Sequence, residues 1–156
     1  MAGHTDNSVV INAPLDFVWE RMNDVESWPT LFSEYAKSEI VERKDDRTFT
    51  FRLTTHPDPD YNGQVWSWVS ERTVNPESRS TKSRRIETGP FEYMNIEWYF
   101  EPVDGGTKMR WVQDFHMKPT APNDDRGAED YLNKNTRVQM GVIKERLENE
   151  AQSARD

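Results

Sequence analysis

The sequence predicts an α+β fold: a curved, seven-stranded antiparallel sheet around a long C-terminal helix, with two short helices and an internal pocket. Three observations predict it. From Tyr35 to Met117, apolar and polar residues alternate with a period of two, broken by short turn-forming segments. Residues 124–151 carry a helical stripe instead. Read as a strand, residues 64–72 set Trp66, Trp68, Ser70 and Arg72 on one face. Two indoles beside a guanidinium suit neither a plain core, which disfavours an unpaired charge, nor an exposed face. They suit an aromatic-walled cavity with one fixed cation at depth, a pocket for a flat, oxygen-rich, partly anionic organic molecule.

Each element follows in order. Asn7 to Asn12, with Val9-Val10-Ile11, reads as an opening strand. Asn12 is an N-cap candidate and Pro14 suits a first turn, so a helix carrying Leu15, Val18, Trp19 and Met22 follows and stops at Asn23-Asp24. A second short helix covers Val25 to Phe32, interrupted near Trp28-Pro29. Strands then fall near 35–43, 47–56, 63–74, 78–88, 91–102 and 106–117. Lys44-Asp45-Asp46, residues 56–63, Asn75-Pro76-Glu77, Gly89-Pro90 and Asp104-Gly105-Gly106 separate them, which implies an antiparallel meander. After a Pro-containing linker, a helix from Asp124 to Ala151 turns Ala128, Tyr131, Leu132, Asn135, Val138, Gln139, Val142, Ile143 and Leu147 inward. This is the helix-grip order, with a cavity between sheet and helix that opens at one end.

The bulk numbers bound the function. A chain of 156 residues suits one domain, 1–156, with a frayed tail from about residue 151. There is no Cys, hence no disulfide, thiol nucleophile or Cys-ligated metal. His4, His56 and His116 are scattered, His116 on the solvent face of its strand, and no metal-ligand spacing, catalytic triad or phosphate loop emerges; no cofactor is expected. A net charge of −8 argues against a nucleic-acid partner. The N-terminus lacks an apolar signal region and no long apolar run occurs, which points to a soluble cytoplasmic protein with no membrane partner. Only 34% of residues are hydrophobic, but 12% are aromatic, and large rings let a small or hollow core form.

Several segments carry a resemblance over nearly the whole chain. They are Thr5 to Pro14, Val18-Trp19, Trp28-Pro29, Leu31 to Tyr35, Val65-Trp66-Ser67-Trp68-Val69-Ser70, Arg85-Ile86-Glu87-Thr88-Gly89-Pro90-Phe91, Tyr93-Met94-Asn95 and Met109 to Gln113. Together they resemble the START/Bet v 1-like aromatase/cyclases of bacterial aromatic polyketide biosynthesis, above all the single-domain type of the tetracenomycin and spore-pigment pathways. The resemblance implies regioselective intramolecular aldol closure of the first ring, C9–C14, of a linear poly-β-ketone, followed by dehydration. It implies an acyl carrier protein bearing the chain, and the minimal polyketide synthase components, as partners. It implies Arg72 and Tyr35 as catalytic residues. Trp28, Phe32, Trp66, Trp68, Ser70, Arg85, Met94, Trp98 and Gln139 fall at substrate-binding positions, Gln139 where relatives carry Asn.

The chemistry of such a site is mostly positioning, because poly-β-ketone methylenes are already acidic. Arg72 suits the holding of enolate and alkoxide oxygens better than proton donation. Tyr35 suits the proton carrier, with a nearby guanidinium expected to lower its pKa from about 10. Arg72 also has a purely structural alternative, paired with Glu71, Glu34 or a carbonyl, and Arg85 could be a structural or rim charge. A non-catalytic carrier of an apolar or aromatic ligand is the competing function; a carrier needs no deep cation. An acidic carrier protein would need a locally basic patch, for which Arg79, Lys82, Arg84 and Arg85 are the densest cluster.

Overall fold

The computed structural model describes residues 2–155, the side chains of residues 60, 154 and 155 excepted. Seven strands form one antiparallel sheet in the order β1-β7-β6-β5-β4-β3-β2. They are β1 Gly3–Ile11, β2 Tyr35–Arg43, β3 Thr48–Thr55, β4 Ser67–Asn75, β5 Ser80–Arg85, β6 Phe91–Val103 and β7 Gly106–Met117. Helix α1, Leu15–Asn23, and a 3-10 helix, Val25–Thr30, carry the chain from β1 to the opposite edge at β2. The meander then returns to β7, which pairs with β1 from Gly3↔Phe115 to Ile11↔Thr107. The long helix α2, Asp125–Arg155, packs across β1 and β7.

Local chemistry accounts for the departures from the sequence expectation. β1 starts at Gly3 rather than Asn7, because polar residues fill its inward positions. Buried Thr5 donates to Gln113 Oε1 at 2.8 Å, and buried Asn7 donates to Asn133 Oδ1 at 2.8 Å. Satisfied polar groups can be buried, but they hide the alternation. Pro14, not Asn12, sits at the N-cap of α1, and no side chain caps the helix. The second short helix is a 3-10 helix that runs through Trp28-Pro29 and ends at Thr30. β4 begins only at Ser67; residues 58–64 form a turn containing a 3-10 helix, Pro59–Tyr61, so Trp66 precedes the strand. β5 stops at Arg85, where the Ile86 and Glu87 N–H groups both donate to the Val69 carbonyl.

Helix α2 divides into two halves. Met140, Ile143, Leu147 and Ala151 are buried in the main core with Trp19, Met22, Leu31 and Met109. The helix continues to Arg155, past the expected fraying point, because Ala151 seals against that core. Ala128 and Leu132, nearer its start, meet a smaller cluster of Phe91, Met94, Phe115 and Met117. Tyr131 and Val138, expected inside, are 52% and 53% exposed, and Thr136 and Met140 are buried instead. The stripe is rotated because Thr136 and Gln139, not the apolar Val138, face the sheet.

The β6–β7 turn needs glycine at two levels. Gly105 and Gly106 have φ of 86° and 150°, and a Cβ on Gly106 would collide with the Ile11 carbonyl oxygen, whereas one on Gly105 meets open space. We expect Gly106→Ala to lower the unfolding free energy by about 2 kcal/mol or more, measured by chemical denaturation. Gly105→Ala, which carries only the backbone strain, should cost about 1 kcal/mol. Equal costs would contradict this packing.

Candidate functional site

The space between the sheet and the N-terminal half of α2 is a cavity of about 430 Å³. Its walls hold every residue that the sequence assigned to the site. Trp28 enters from the 3-10 helix and Phe32 from the residues after it; Trp28 is fixed by its indole N–H donating to the Met22 carbonyl at 3.0 Å. Ser70 and Arg72 come from β4, and Met94 and Trp98 from β6. Trp66 and Trp68 form a half-buried wall, with Trp66 edge-on to Tyr61 at 5.2 Å and Trp68 edge-on to Tyr35 at 6.2 Å. The aromatic floor is continuous: Trp98 stacks on Trp111 at 4.6 Å and 8°, and on Trp28 at 5.4 Å.

Arg72 is 1% exposed. Its Cζ lies 4.6 Å from the centre of the Trp98 ring and 5.3 Å from that of Trp28, which favours a cation over two π faces. Nη2 donates to Asn23 Oδ1 at 2.9 Å, and Nε has no partner among the described residues. No carboxylate pairs with it among those residues, so neither Glu71 nor Glu34 is its counter-ion; Glu71 is engaged by Lys44 and Arg84. Burial pushes the guanidinium down to about 9, which leaves it a cation at neutral pH.

Tyr35 corrects an expectation. Its phenol is pushed well above its ordinary value, first by burial and then by Glu34; Arg85 pulls it the other way without prevailing. It therefore stays protonated. Arg72 does not pair with it, and strand register explains why. Tyr35 pairs with Thr55 on β3, while Arg72 pairs with Phe49, six residues and about 20 Å further along that strand. Trp28 stands between them, its ring 6.4 Å from that of Tyr35.

Arg85 lies over Trp68 at 4.6 Å and Phe91 at 5.3 Å, its Nε held by the Glu87 carbonyl at 3.1 Å, and burial lowers it to about 10. It thus leaves the expected outer basic cluster. Arg79 is tied to Asp16 and Arg84 reaches Glu71 at 3.3 Å, but Lys82 and Arg84 both stay exposed on the outer sheet face. Gln139 spends both amide atoms on Ser33: Oε1 accepts from its N–H and Nε2 donates to its Oγ, each at 2.9 Å.

Two residues take places at the site that the sequence did not assign to them: Asn23, and Glu34, which was named only as one structural alternative partner for Arg72. Asn23, read only as a helix end, holds Arg72 with Oδ1 and donates through Nδ2 to the Trp19 carbonyl at 2.9 Å. Glu34 is the one carboxylate on the cavity wall among the described residues. Asn135 Nδ2 donates to its Oε2 at 3.0 Å, and burial raises its pKa above the ordinary carboxylate value. Its signal was only its place beside Tyr35. Among the described residues, no cluster of His, Cys, Asp or Glu could hold a metal ion, and no helix is long and apolar enough to cross a membrane.

A curved antiparallel sheet grips a C-terminal helix over a lined cavity, a fold shared with a START superfamily protein from Mycobacterium smegmatis, which superposes with a TM-score of 0.70 at 15% identity over 97% of this chain and 98% of its own. The chain belongs to the family described as polyketide cyclase/dehydrase and lipid transport, whose model matches residues 11–138. A Streptomyces cyaneus protein named "Putative polyketide cyclase" is 56% identical over 148 residues, 95% of this chain and 95% of its own length. A Streptomyces halstedii protein of the same name is 56% identical over 112 residues, 72% of this chain and 100% of its own. The Zhui aromatase/cyclase from Streptomyces sp. R1128 superposes with a TM-score of 0.78 at 23% identity, over 97% of this chain and 94% of its own, a likeness of fold alone.

A buried cation with no counter-ion destabilises its own fold. Arg72→Met removes the desolvated charge but orphans Asn23 Oδ1, at a cost of about 1–3 kcal/mol. Replacing buried charges by apolar groups often gains about 1–4 kcal/mol. We expect the Arg72→Met protein to unfold at pH 7 with a free energy no more than about 1 kcal/mol below that of the parent. The stability difference should shift in the parent's favour over Arg72→Met as pH rises from about 9, because native Arg72 then binds fewer protons than unfolded Arg72. A large loss in thermal or denaturant unfolding of Arg72→Met would mark Arg72 as structural.

Proposed function

We propose that this protein is a polyketide aromatase/cyclase. It directs first-ring, C9–C14, aldol closure and dehydration of a linear poly-β-ketone carried on an acyl carrier protein. The observation that carries the proposal is the Arg72 guanidinium on the cavity wall, buried without a carboxylate partner among the described residues and backed by two indoles. A carrier of apolar ligands gains nothing from such a group, whereas an enolising chain supplies the oxygens that it lacks.

In this mechanism the aromatic walls choose among coiled conformers of a reactive chain. A well-oriented intramolecular reaction can gain about 7–11 kcal/mol from such positioning. Trp28, Phe32, Trp66, Trp68, Met94 and Trp98 give the flat faces against which the chain folds, and Ser70 and Arg85 offer polar contacts along it. Arg72 holds a carbonyl or enol oxygen of the chain outside the closing ring, on one side of Trp28. On the other side the new alkoxide takes a proton from the Tyr35 hydroxyl; an alkoxide is more basic than a phenolate, so the raised pKa of Tyr35 does not block this transfer. Elimination of water then aromatises the ring. Gln139 acts indirectly, by clamping Ser33 to α2 beside the site.

Coexpression with a minimal polyketide synthase tests the function: the parent should convert a mixture of shunt products into one C9–C14-cyclised aromatic product. Arg72→Lys, which loses the fork of donors, should restore the mixture, while Tyr35→Phe should keep the ring position but slow its formation. An unchanged product mixture on adding the parent would refute the proposal. For the carrier, Lys82 and Arg84 supply the exposed basic pair. Their joint reversal to Glu should raise the KM for carrier-bound substrate several-fold and leave kcat unchanged; an unaltered KM would place docking elsewhere.

A further inference from the structure

The cavity wall carries two guanidiniums, Arg72 and Arg85, but a single carboxylate among the described residues, Glu34. Its surroundings are built to hold it. Asn135, on the cavity half of α2, donates to Oε2 at 3.0 Å, and the backbone carbonyl of Glu34 accepts from the His56 N–H at 3.0 Å. The neighbouring α2 residue on the same stripe, Gln139, ties down Ser33 from both amide atoms. The 33–34 segment is therefore clamped to the roof of the cavity, with Tyr35 following directly in β2. No Lys or Arg salt bridge engages the Glu34 carboxylate among the described residues, which separates it from Glu71, Glu77, Glu87, Glu148 and Glu150.

We propose that Glu34 is a catalytic residue, the base that takes the methylene proton of the poly-β-ketone and returns it through Tyr35. This inference rests on the cyclase function proposed above. In the aldol step the Glu34 carboxylate takes a proton from the nucleophilic methylene, and the C–H electron pair becomes the enolate. The enolate carbon attacks the ketone carbon; a C–C bond forms and the carbonyl π pair becomes an alkoxide. The alkoxide takes the Tyr35 proton, and the Glu34 carboxylic acid reprotonates the Tyr35 oxygen. In dehydration the same pair acts again. Glu34 removes the remaining methylene proton, the C–O bond breaks, and the oxygen leaves as water with the proton from Tyr35, which Glu34 then restores. Both steps begin and end with the same protonation states.

The environment matches the task. Burial raises the Glu34 pKa, while the Asn135 amide and the Tyr35 phenol pull it down, so its carboxylate is a stronger base than an exposed one. The groups facing the pair are Asn135 from α2 and Arg85 from β5, the latter acting on Tyr35.

The test compares the parent with Glu34→Gln in the reconstituted minimal polyketide synthase. A positioned base contributes about 10²–10⁴-fold, and because these methylenes are acidic the lower end applies. kcat for the C9–C14 product should fall about 100-fold with KM within a few-fold of the parent. The acid-side limb of the parent's pH–rate profile, where activity falls as Glu34 protonates, should vanish in the variant. Unchanged kcat, or a retained acid limb, overturns the assignment while leaving the cyclase function standing. A parent that fails to redirect the synthase overturns both. As a readout independent of cyclisation, the parent should accelerate deuterium exchange at the methylene of 1-phenylbutane-1,3-dione. Glu34→Asp, which keeps the charge if Glu34→Gln proves misfolded, should exchange more slowly at unchanged probe affinity; exchange equal to the parent's would refute the base role.

Discussion

The structure is organised around a guanidinium held out of water without a counter-ion among the described residues. Desolvating a charge costs several kcal/mol unless something compensates it. Here the compensation is partial: one hydrogen bond donated to Asn23 and the π faces of Trp98 and Trp28. Those rings are fixed in turn, Trp98 by stacking on Trp111 and Trp28 by its bond to the Met22 carbonyl. The end of α1, the 3-10 helix and strands β4, β6 and β7 thus all converge on one cation. An arginine kept for stability would have been given a carboxylate, and Glu71, next to it in sequence, lies on the other face of β4 bound to Lys44 and Arg84.

The cavity exists because α2 does two jobs along its length. Its C-terminal half presents Met140, Ile143, Leu147 and Ala151 and closes the main core. Its N-terminal half presents Ala128, Asn135, Thr136 and Gln139 toward the sheet, side chains too short or too polar to fill the space against the aromatic floor. A stripe of leucines there would pack the interior solid. The polar members instead reach sideways to Ser33 and Glu34 and hold the cavity rim in place, which couples the roof to the mouth.

Much of this was legible in the sequence. Period-two alternation and turn residues located β2, β3, β6 and β7 closely, and the Trp66–Arg72 alternation placed Arg72 with indoles, but the rings it meets are Trp98 and Trp28, while Arg85 takes the face of Trp68. What was lost was lost for physical reasons. The polar inward residues of β1 hide its first half, because a buried hydrogen bond looks like surface in a hydropathy pattern. Val138 misled the α2 stripe because apolarity was taken as inwardness, while the helix turns its amide and hydroxyl residues to the cavity. Asn23 could not be paired with Arg72 by reading, because the contact spans 49 positions and depends on how the 3-10 helix returns the chain over the sheet. Strand register likewise separates Arg72 from Tyr35, a distance invisible until β3 is seen to carry both levels.

That separation is itself informative. A single acid–base pair in contact could serve one bond, whereas a cation and a phenol on either side of one indole suit two oxygens of one flat molecule at once. The charge pattern agrees. The chain as a whole is acidic, at −8, yet among the described residues its cavity wall carries two guanidiniums against one carboxyl. The outside repels anions weakly through water and salt, where such forces fade within about 10 Å. Inside, where water is scarce, the same charges act strongly at short range. An oxygen-rich chain is therefore not drawn in by the protein's long-range field. On the proposed function, its oxygens are held only once they reach the buried cations, as suits a substrate handed over on a carrier rather than captured from free solution.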